Sequence, residues 1–444
     1  MQTAFYLKKS VFILALSLFI TTISGTTKSY CENISLSILE EQAIKHSPDL
    51  DKFSIETKLQ QERLDDQQYD FYPSLRIQGN SEYSSDLSHG WGSVVSVGDI
   101  VQSTGTKYQN SVSVRANYVL YDFGARVQKE LALKKSILAS ESTQLAEKLR
   151  LRISVLNSYA AALTLSQQMD NLKKIVDYSQ ELNNLTNRLR KAGKKGPIDS
   201  ARVFTELKKR ENELSLHEFE LYKRLEELSF YTGNPLSKDT LFTELPRPDL
   251  SDFLFNVEKH PSIERYTYEL ASQQASTAAS KGEYFPKVSL YSSYLLYGSN
   301  AKDMMKSYQD ISESNFTVGV SLVVPITDAF RNQHRVSQSE LTEKRIRAEQ
   351  RKLKEQLQTE FNISQRQYKY LLKDQKQKRT MVHILQNELD MLERLKKAKE
   401  IDAETAIRRS IVLLEQKAAL SKSVVELSHE LLRLQYQMEA TRHE

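Results

Sequence analysis

The sequence predicts an α+β membrane protein with internal duplication, in which long antiparallel α-helical hairpins are joined to four β-strands per protomer. Three observations predict it. The chain is written twice, at a spacing of roughly two hundred residues that is far longer than a solenoid repeat. Each copy holds two stretches of about ten residues that alternate apolar and polar with period two. Each copy also holds a stretch of roughly seventy residues without Pro or Gly, long enough for a helix of roughly 100 Å.

The duplication is read from matched segments. His46-Ser47-Pro48-Asp49-Leu50 corresponds to His260-Pro261-Ser262-Ile263, and Tyr72-Pro73 to Phe285-Pro286. Tyr121-Asp122-Phe123-Gly124 corresponds to Thr327-Asp328-Ala329-Phe330. Arg188-Leu189-Arg190-Lys191-Ala192 corresponds to Arg394-Leu395-Lys396-Lys397-Ala398. The first repeat is placed at 36–232 and the second at 251–440. The linker 233–250 carries Pro235, Pro246 and Pro248.

Residues 1–31 read as an export signal. Lys8-Lys9 form its basic region and residues 11–20 its apolar run, too short to span a bilayer as a helix. Thr21, Thr22, Ser24 and Gly25 follow, and cleavage is expected within 24–31. Loss of Lys8, Lys9 and Lys28, with no acid before Glu32, takes the net charge from +5 to about +2. A near-neutral chain with alternating signs gives no footprint for nucleic acid. Cys31 is the only cysteine, so there is no intrachain disulfide and no thiol metal site. Lys28-Ser29-Tyr30 lack the Leu and small residues of a lipid-attachment site, so Cys31 reads as incidental. No other segment is apolar enough to cross a membrane as a helix. An exported chain of that kind is periplasmic, secreted or an outer-membrane barrel.

In the first repeat a helix is expected over 36–70, stopped by Pro73. Strands are expected over 74–85 and 111–121. Leu75, Ile77, Gly79, Ser81 and Tyr83 alternate with Arg76, Gln78, Asn80 and Glu82. A Ser/Gly-rich loop over 86–109 holds the lone Trp91, suited to interfacial anchoring or to ligand contact. A long helix follows over 125–191, then a return helix over 197–232 begun by Pro197. Leu131, Leu138 and Leu145, then Leu149, Leu156 and Leu163, recur every seven residues, as in coiled-coil packing. The second repeat gives strands over 287–298 and 315–325, a loop from Asn300 to Ser314, a long helix over 331–398 and a return helix over 402–438.

Alternating strands with one apolar and one wet face suit a membrane barrel, or a half-buried sheet in a soluble domain. Under the membrane reading, four strands cannot close, and open edges are not tolerated in lipid. Three copies would supply twelve strands, an even number within the bacterial range. Threefold closure would also curl the helices into a hollow α-barrel tunnel.

The order helix–strand–strand–helix–helix, its duplication, Phe71-Tyr72-Pro73-Ser74-Leu75, Tyr284-Phe285-Pro286-Lys287-Val288 and Leu120-Tyr121-Asp122-Phe123-Gly124 together resemble the TolC-like outer-membrane efflux protein (OEP) family. The resemblance covers nearly all of the chain after the signal. It implies a homotrimer with a twelve-stranded transmembrane β-barrel in the outer membrane of a Gram-negative cell, in contact with its lipid. It implies a helical tunnel in the periplasm. It implies a passive exit duct fed by an inner-membrane pump or ABC-type type I exporter through a periplasmic adaptor, the membrane fusion protein.

The resemblance also implies that the helical tips close the tunnel and dock the adaptor. Gly193, Lys194, Lys195, Gly196 and Asp199 form the first tip. Gly193 matches the family's turn glycine and Asp199 the acid that starts the return helix, where an acid also serves as a simple cap. Lys399, Glu400 and Asp402 form the second tip, which is shorter and lacks the glycine. Thr405 stands where a second acid is expected, so an acidic, cation-selecting ring rests on Asp402 and Glu404. Lys194 and Lys195 suit an adaptor with an acidic hairpin tip, or are two solvated lysines on a turn.

No enzymatic role, cofactor or metal is expected. The eight His are scattered without ligand spacing, and neither a phosphate loop nor a nucleophile elbow is present. His46 and His260 read as structural. The competing reading is a soluble periplasmic coiled-coil scaffold or adaptor without a pore. Such an adaptor would carry one hairpin between compact β-domains, not two strand pairs each leading into a long helix.

Overall fold

A computed structural model describes residues 33–83, 85, 107–238, 240–248, 254–300, 302–326, 328–397 and 402–442. The export signal, Cys31, Trp91, Lys399 and Glu400 lie outside these residues.

The chain enters as β1 (Asn33–Ile34), then α1 (Leu36–His46) and α2 (Pro48–Tyr69). The single helix expected over 36–70 is therefore two. Ser47 is extended, its hydroxyl accepts from Leu50 N at 3.3 Å, and Pro48 takes the first helical position, where a missing N–H costs nothing. His260 does the same for α5 (Pro261–Gly282), its Nδ1 accepting from Ser262 N at 3.2 Å. By role, His260 thus corresponds to Ser47 and not to His46. His46 instead closes on the helix end at Gly233, where a Cβ would sit 2.6 Å from its ring.

β2 (Ser74–Tyr83) and β3 (Tyr108–Tyr121) lead into α3 (Ala125–Lys191) and α4 (Pro197–Thr232). β4 (Leu241–Phe242) runs parallel to β1 in the connection between the halves. After α5 come β5 (Lys287–Asn300), α6 (Met304–Gln309), β6 (Glu313–Val323), α7 (Asp328–Lys397) and α8 (Ala403–Ala440). The segment expected as a plain loop before β6 contains the one-turn helix α6, because Asp303 accepts from Met305 N at 2.8 Å and caps it. β3 and β5 also run longer than expected. Among the described residues, no helix is long and apolar enough to cross a membrane.

The four longer strands form one antiparallel sheet in the order β2-β3-β5-β6. The long helices pack side by side as α4-α3-α8-α7. The core lies midway along α3. There Leu36, Leu39 and Ala43 of α1 meet Val155, Leu156, Tyr159 and Leu163, together with Leu225, Leu228, Leu245 and Tyr436. Tyr159 is fully buried, and its hydroxyl lies 2.7 Å from the Thr243 carbonyl and 3.0 Å from that of Ile34. One side chain thus ties the β1–β4 pair to α3. The second leucine row is core, with Leu156 at 0% and Leu163 at 3% exposure, whereas Leu131 at 40% and Leu145 at 42% stay open on the protomer.

The switch from β3 to α3 explains the Tyr121-Asp122-Phe123-Gly124 motif. A bulge lies between Val119 and Tyr121, and Phe123 and Gly124 take positive φ of 53° and 81°. Asp122 accepts from Gly124 N at 3.2 Å and Arg126 N at 3.1 Å, and pairs with Arg126 Nε at 2.8 Å. Arg126 also donates to the carbonyls of Asp70 at 2.9 Å and Val119 at 2.8 Å. One guanidinium therefore joins the end of α2, the end of β3 and the start of α3. Phe123 stacks on Phe285 with ring centroids 4.6 Å apart, linking the two copies at the same level.

Candidate functional site

Two regions expose chemistry that the core does not absorb: the helical tips and the sheet. At the first tip, Gly193 takes φ 75°. Gly193 N donates to Arg190 O at 3.0 Å and Lys194 N to Leu189 O at 2.9 Å. These bonds satisfy the last carbonyls of α3 in the Schellman arrangement, which needs a residue tolerant of left-handed backbone. Gly196 stands before Pro197 and α4, and its N–H donates to the Asp199 carboxylate at 3.3 Å. Asp199 therefore caps α4. Lys194 is exposed, with no ion-pair partner among the described residues. Ile198 beside it is 74% exposed, an apolar side chain offered to solvent at the turn.

The two tips meet through one carboxylate. Glu404 Oε2 lies 3.1 Å from Lys195 Nζ, and Glu404 Oε1 lies 3.0 Å from Arg408. Burial alone would raise the Glu404 carboxyl, but the bonds to Arg408 and Lys195 outweigh it and hold it below its usual range. Asp402 is exposed and caps α8 by accepting from Thr405 N at 3.2 Å. That bond, with the nearby Lys195 charge, lowers its carboxyl too. Of the two acids considered for a ring, Glu404 is committed to Lys195 and Arg408 within the protomer. Behind the tips, Leu172, Ile175, Leu182, Val203, Ile407, Ile411 and Leu414 pack α3, α4 and α8 together. The described ends of α3, α4 and α8 are thus held together by apolar packing. The Lys195–Glu404 pair joins positions 209 residues apart, and neither its spacing nor its residue types marked it in the sequence.

The sheet has two unlike faces. Ile77, Val114, Tyr294 and Phe316 form one row across all four strands, and Leu75, Ala116, Ser292 and Val318 the next. This face is open: Leu75 is 75%, Ile77 74% and Phe316 66% exposed. Water tolerates scattered apolar side chains, but a contiguous apolar sheet face marks a missing partner or lipid. The other face carries rows such as Arg76-Arg115-Ser293-Thr317 and Asn80-Ser111-Tyr297-Glu313. Aromatic side chains collect at both ends of the apolar face. Tyr69, Tyr72, Tyr121, Phe123 and Phe285 stand exposed at the helix side, while Tyr83 and Tyr108 lie 5.2 Å apart at the other. Among the described residues both sheet edges, β2 and β6, are unpaired.

Among the described residues, no group of three or more His, Cys, Asp or Glu is arranged to hold a metal. A cavity of about 640 Å³ lies where α3, α4, α7 and α8 meet, with His217, Arg224, Lys422, His429 and Arg433 among its lining. His429 Nε2 there donates to Asn157 Oδ1 at 2.7 Å, and burial, reinforced by Arg433, pushes its pKa down to about 4.

Comparison with known proteins agrees with this geometry. Residues 39–234 match the family model described as outer membrane efflux protein. The pyoverdine export outer membrane protein OpmQ of Pseudomonas aeruginosa is 23% identical over 244 residues, covering 52% of this chain. The match spans only 50% of that relative's own length. The CmeC outer membrane channel of Campylobacter jejuni shares the fold with a TM-score of 0.76 at 13% identity, over 92% of this chain and 87% of its own. The outer membrane protein VceC of Vibrio cholerae does so with 0.71 at 15% identity, over 91% and 95%. Residues 39–234 are thus similar to the outer membrane efflux protein family, and the sheet with its paired helical hairpins has the fold of these outer-membrane channels.

Proposed function

We propose that the chain is a passive exit duct of the outer membrane, serving a tripartite efflux pump or a type I secretion system. The observation that carries this reading is the sheet: apolar and exposed on one face, polar on the other, with two unpaired edges. Backbone edges in lipid must be paired, so such a sheet is completed by further copies of itself. Three copies give twelve strands, a permitted barrel size. The helical layer supports the same closure. Its outer members α4 and α7 expose Phe219, Tyr222 and Phe230 on one side and Ile363, Tyr370, Ile384 and Met391 on the other. Residues 363, 370, 384 and 391 fall on a seven-residue register, the spacing of a helix seam.

In this assembly the chain catalyses nothing and the duct passes cargo delivered by an inner-membrane transporter. The tips face the periplasmic adaptor. Lys194 and the apolar Ile198 are the groups free to contact it, and an acidic adaptor hairpin would complement Lys194. Lys195, Asp199 and Asp402 hold the tip's shape through the bonds described above.

The first experiment is the mass of the complex in mild detergent, with single-channel recording on the same sample. A trimer of about 150 kDa, three times the 51.2 kDa chain less its signal, that conducts ions supports the duct. A water-soluble monomer without conductance sinks it. For the tip, Gly193→Trp is expected to stop export while the trimer still assembles, because a Cβ at Gly193 meets nothing within 4 Å yet the φ of 75° disfavours any other side chain. Unchanged export from that variant at normal expression would remove the tip from the docking site.

A further inference from the structure

The polar face of the sheet carries a feature that the duct reading leaves unused. Arg76 and Arg115 are direct register partners on β2 and β3, so their side chains leave the same face side by side. Both are exposed, and neither has a hydrogen-bond or ion-pair partner among the described residues. Like charges directly opposite on a sheet oppose pairing, so this arrangement costs stability in the empty protein. The remaining members of the row, Ser293 and Thr317, are neutral hydrogen-bonding groups. Lys287 stands on the same face nearer the helices.

The described acids on this face are far from the pair. Glu82 lies six residues along β2 from Arg76, roughly 20 Å at strand rise. Glu313 belongs to the row of Tyr297, four residues along β6 from the arginine row, so roughly 13 Å away. Neither can neutralise the guanidinium groups by direct contact. Charge on this face is thus segregated: basic toward the helices, acidic toward the far end.

In a barrel the apolar face meets lipid and this face lines the lumen. Threefold closure then sets three Arg76–Arg115 pairs at one level of the pore. We infer that this level is an anion-binding ring, and that the duct favours cargo carrying phosphate, carboxylate or comparable anionic groups at the point of exit. The inference rests on the duct reading above. Paired guanidinium forks suit such groups because each can offer two parallel N–H donors to a planar or tetrahedral oxyanion. A ring of fixed charge inside a pore also concentrates counter-ions and excludes ions of its own sign.

The test is block of single-channel current in planar bilayers by inorganic tripolyphosphate, added from the sheet end. Wild-type current is expected to be blocked, with R76S/R115S requiring about tenfold more blocker, since a charged cleft enriches its counter-ions by about that factor or more. R76K/R115K is expected to keep most of the block, because it keeps the charge and loses only the forked geometry. R115S alone is expected to fall between wild type and the double variant, and it leaves β2 unaltered should the double variant fail to assemble. Equal half-block concentrations in wild type and R115S, both conducting, would overturn the ring and leave the duct intact. A wild-type protein that forms no channel would overturn the duct, and the ring with it.

Discussion

The two longest helices, α3 and α7, differ little in length and hardly at all in their place within the repeats, yet one is a core and the other an edge. α3 packs against α1, α2, α4, α5 and α8, and Val155, Leu156, Tyr159 and Ala162 along it are fully buried. α7 packs against α5 and α8, and shows Ile363, Tyr370, Ile384 and Met391 to solvent. The linker with β4 and the entry helix α1 both settle on α3, which is why Val155, Leu156 and Tyr159 in its middle are fully buried. On α7 the corresponding cover is smaller: Phe255 stacks on Phe361 at 4.4 Å and Glu258 pairs with Lys354, and among the described residues its apolar row further along stays open. At its sheet end it is held mainly by polar bonds: Asn332 donates to the Glu283 carbonyl at 3.3 Å, and Arg335 lies 3.4 Å from the Glu283 carboxylate, which Lys129 of α3 also meets at 2.9 Å. A duplicated sequence thus gives one helix buried in the protomer's core and one whose apolar row stays open on the protomer.

This comparison can be broken in the following ways. The largest expected effect is on assembly. Ile363→Asp combined with Ile384→Asp should abolish the trimer in detergent while leaving the helical content of the protomer unchanged. Circular dichroism and mass measurement on one sample check it, and a surviving trimer would show that α7 is not the seam. Next, Leu156→Ala in α3 should cost the protomer about 3 kcal/mol, the usual range for a fully buried leucine, read from urea unfolding. The same substitution at Leu372 in α7, at 49% exposure, should cost well under a third of that, and equal losses would erase the distinction.

A third prediction uses pH. Burial pushes the His260 pKa down from 6.5 to about 4, and its Nδ1 must stay unprotonated to cap α5. The unfolded chain takes up a proton below about pH 6.5 while the folded one does not, so stability is complete above that pH and falls as pH drops toward 4. At pH 5 the loss should be about 2 kcal/mol relative to pH 7.5, with His429 adding in the same direction. His260→Asn keeps a capping side chain and should flatten the dependence. An unaltered slope would remove His260 from the account. A smaller effect is expected of Tyr159→Phe, about 1 kcal/mol for the bonds to Thr243 and Ile34. Tyr370→Phe on α7, whose ring is 67% exposed, should change the protomer by nothing measurable.

Several elements are legible in the chain itself. The alternation of Leu75, Ile77 and Tyr83 against Arg76, Gln78 and Glu82 foretold a two-faced strand, because side chains in a strand must alternate. The Pro- and Gly-free stretches and leucine sevens foretold long helices, because nothing in them interrupts the backbone ladder. The helix expected over 36–70 breaks at Ser47-Pro48, where Ser before Pro at a helix start is itself a local signal. The α6 turn is not legible, because six residues carry too little periodicity to be read.

At the tip, Gly193 and Asp199 were legible as a left-handed turn and a cap, since both act within a few residues of themselves. Periodicity, duplication and local capping are short-range properties, and the sequence by itself determined them here: two copies, two-faced strands, long unbroken helices and the turn between them. Which acid each lysine meets, which leucine row is core and which arginines stand side by side depend on elements far apart in the chain. Lys195 reaches Glu404, Arg126 gathers α2, β3 and α3, and Arg76 faces Arg115 only because the sheet register and the helix order bring them together. Those pairings were decided by tertiary packing, because the apolar faces that set the register are satisfied only by partners that no local window contains.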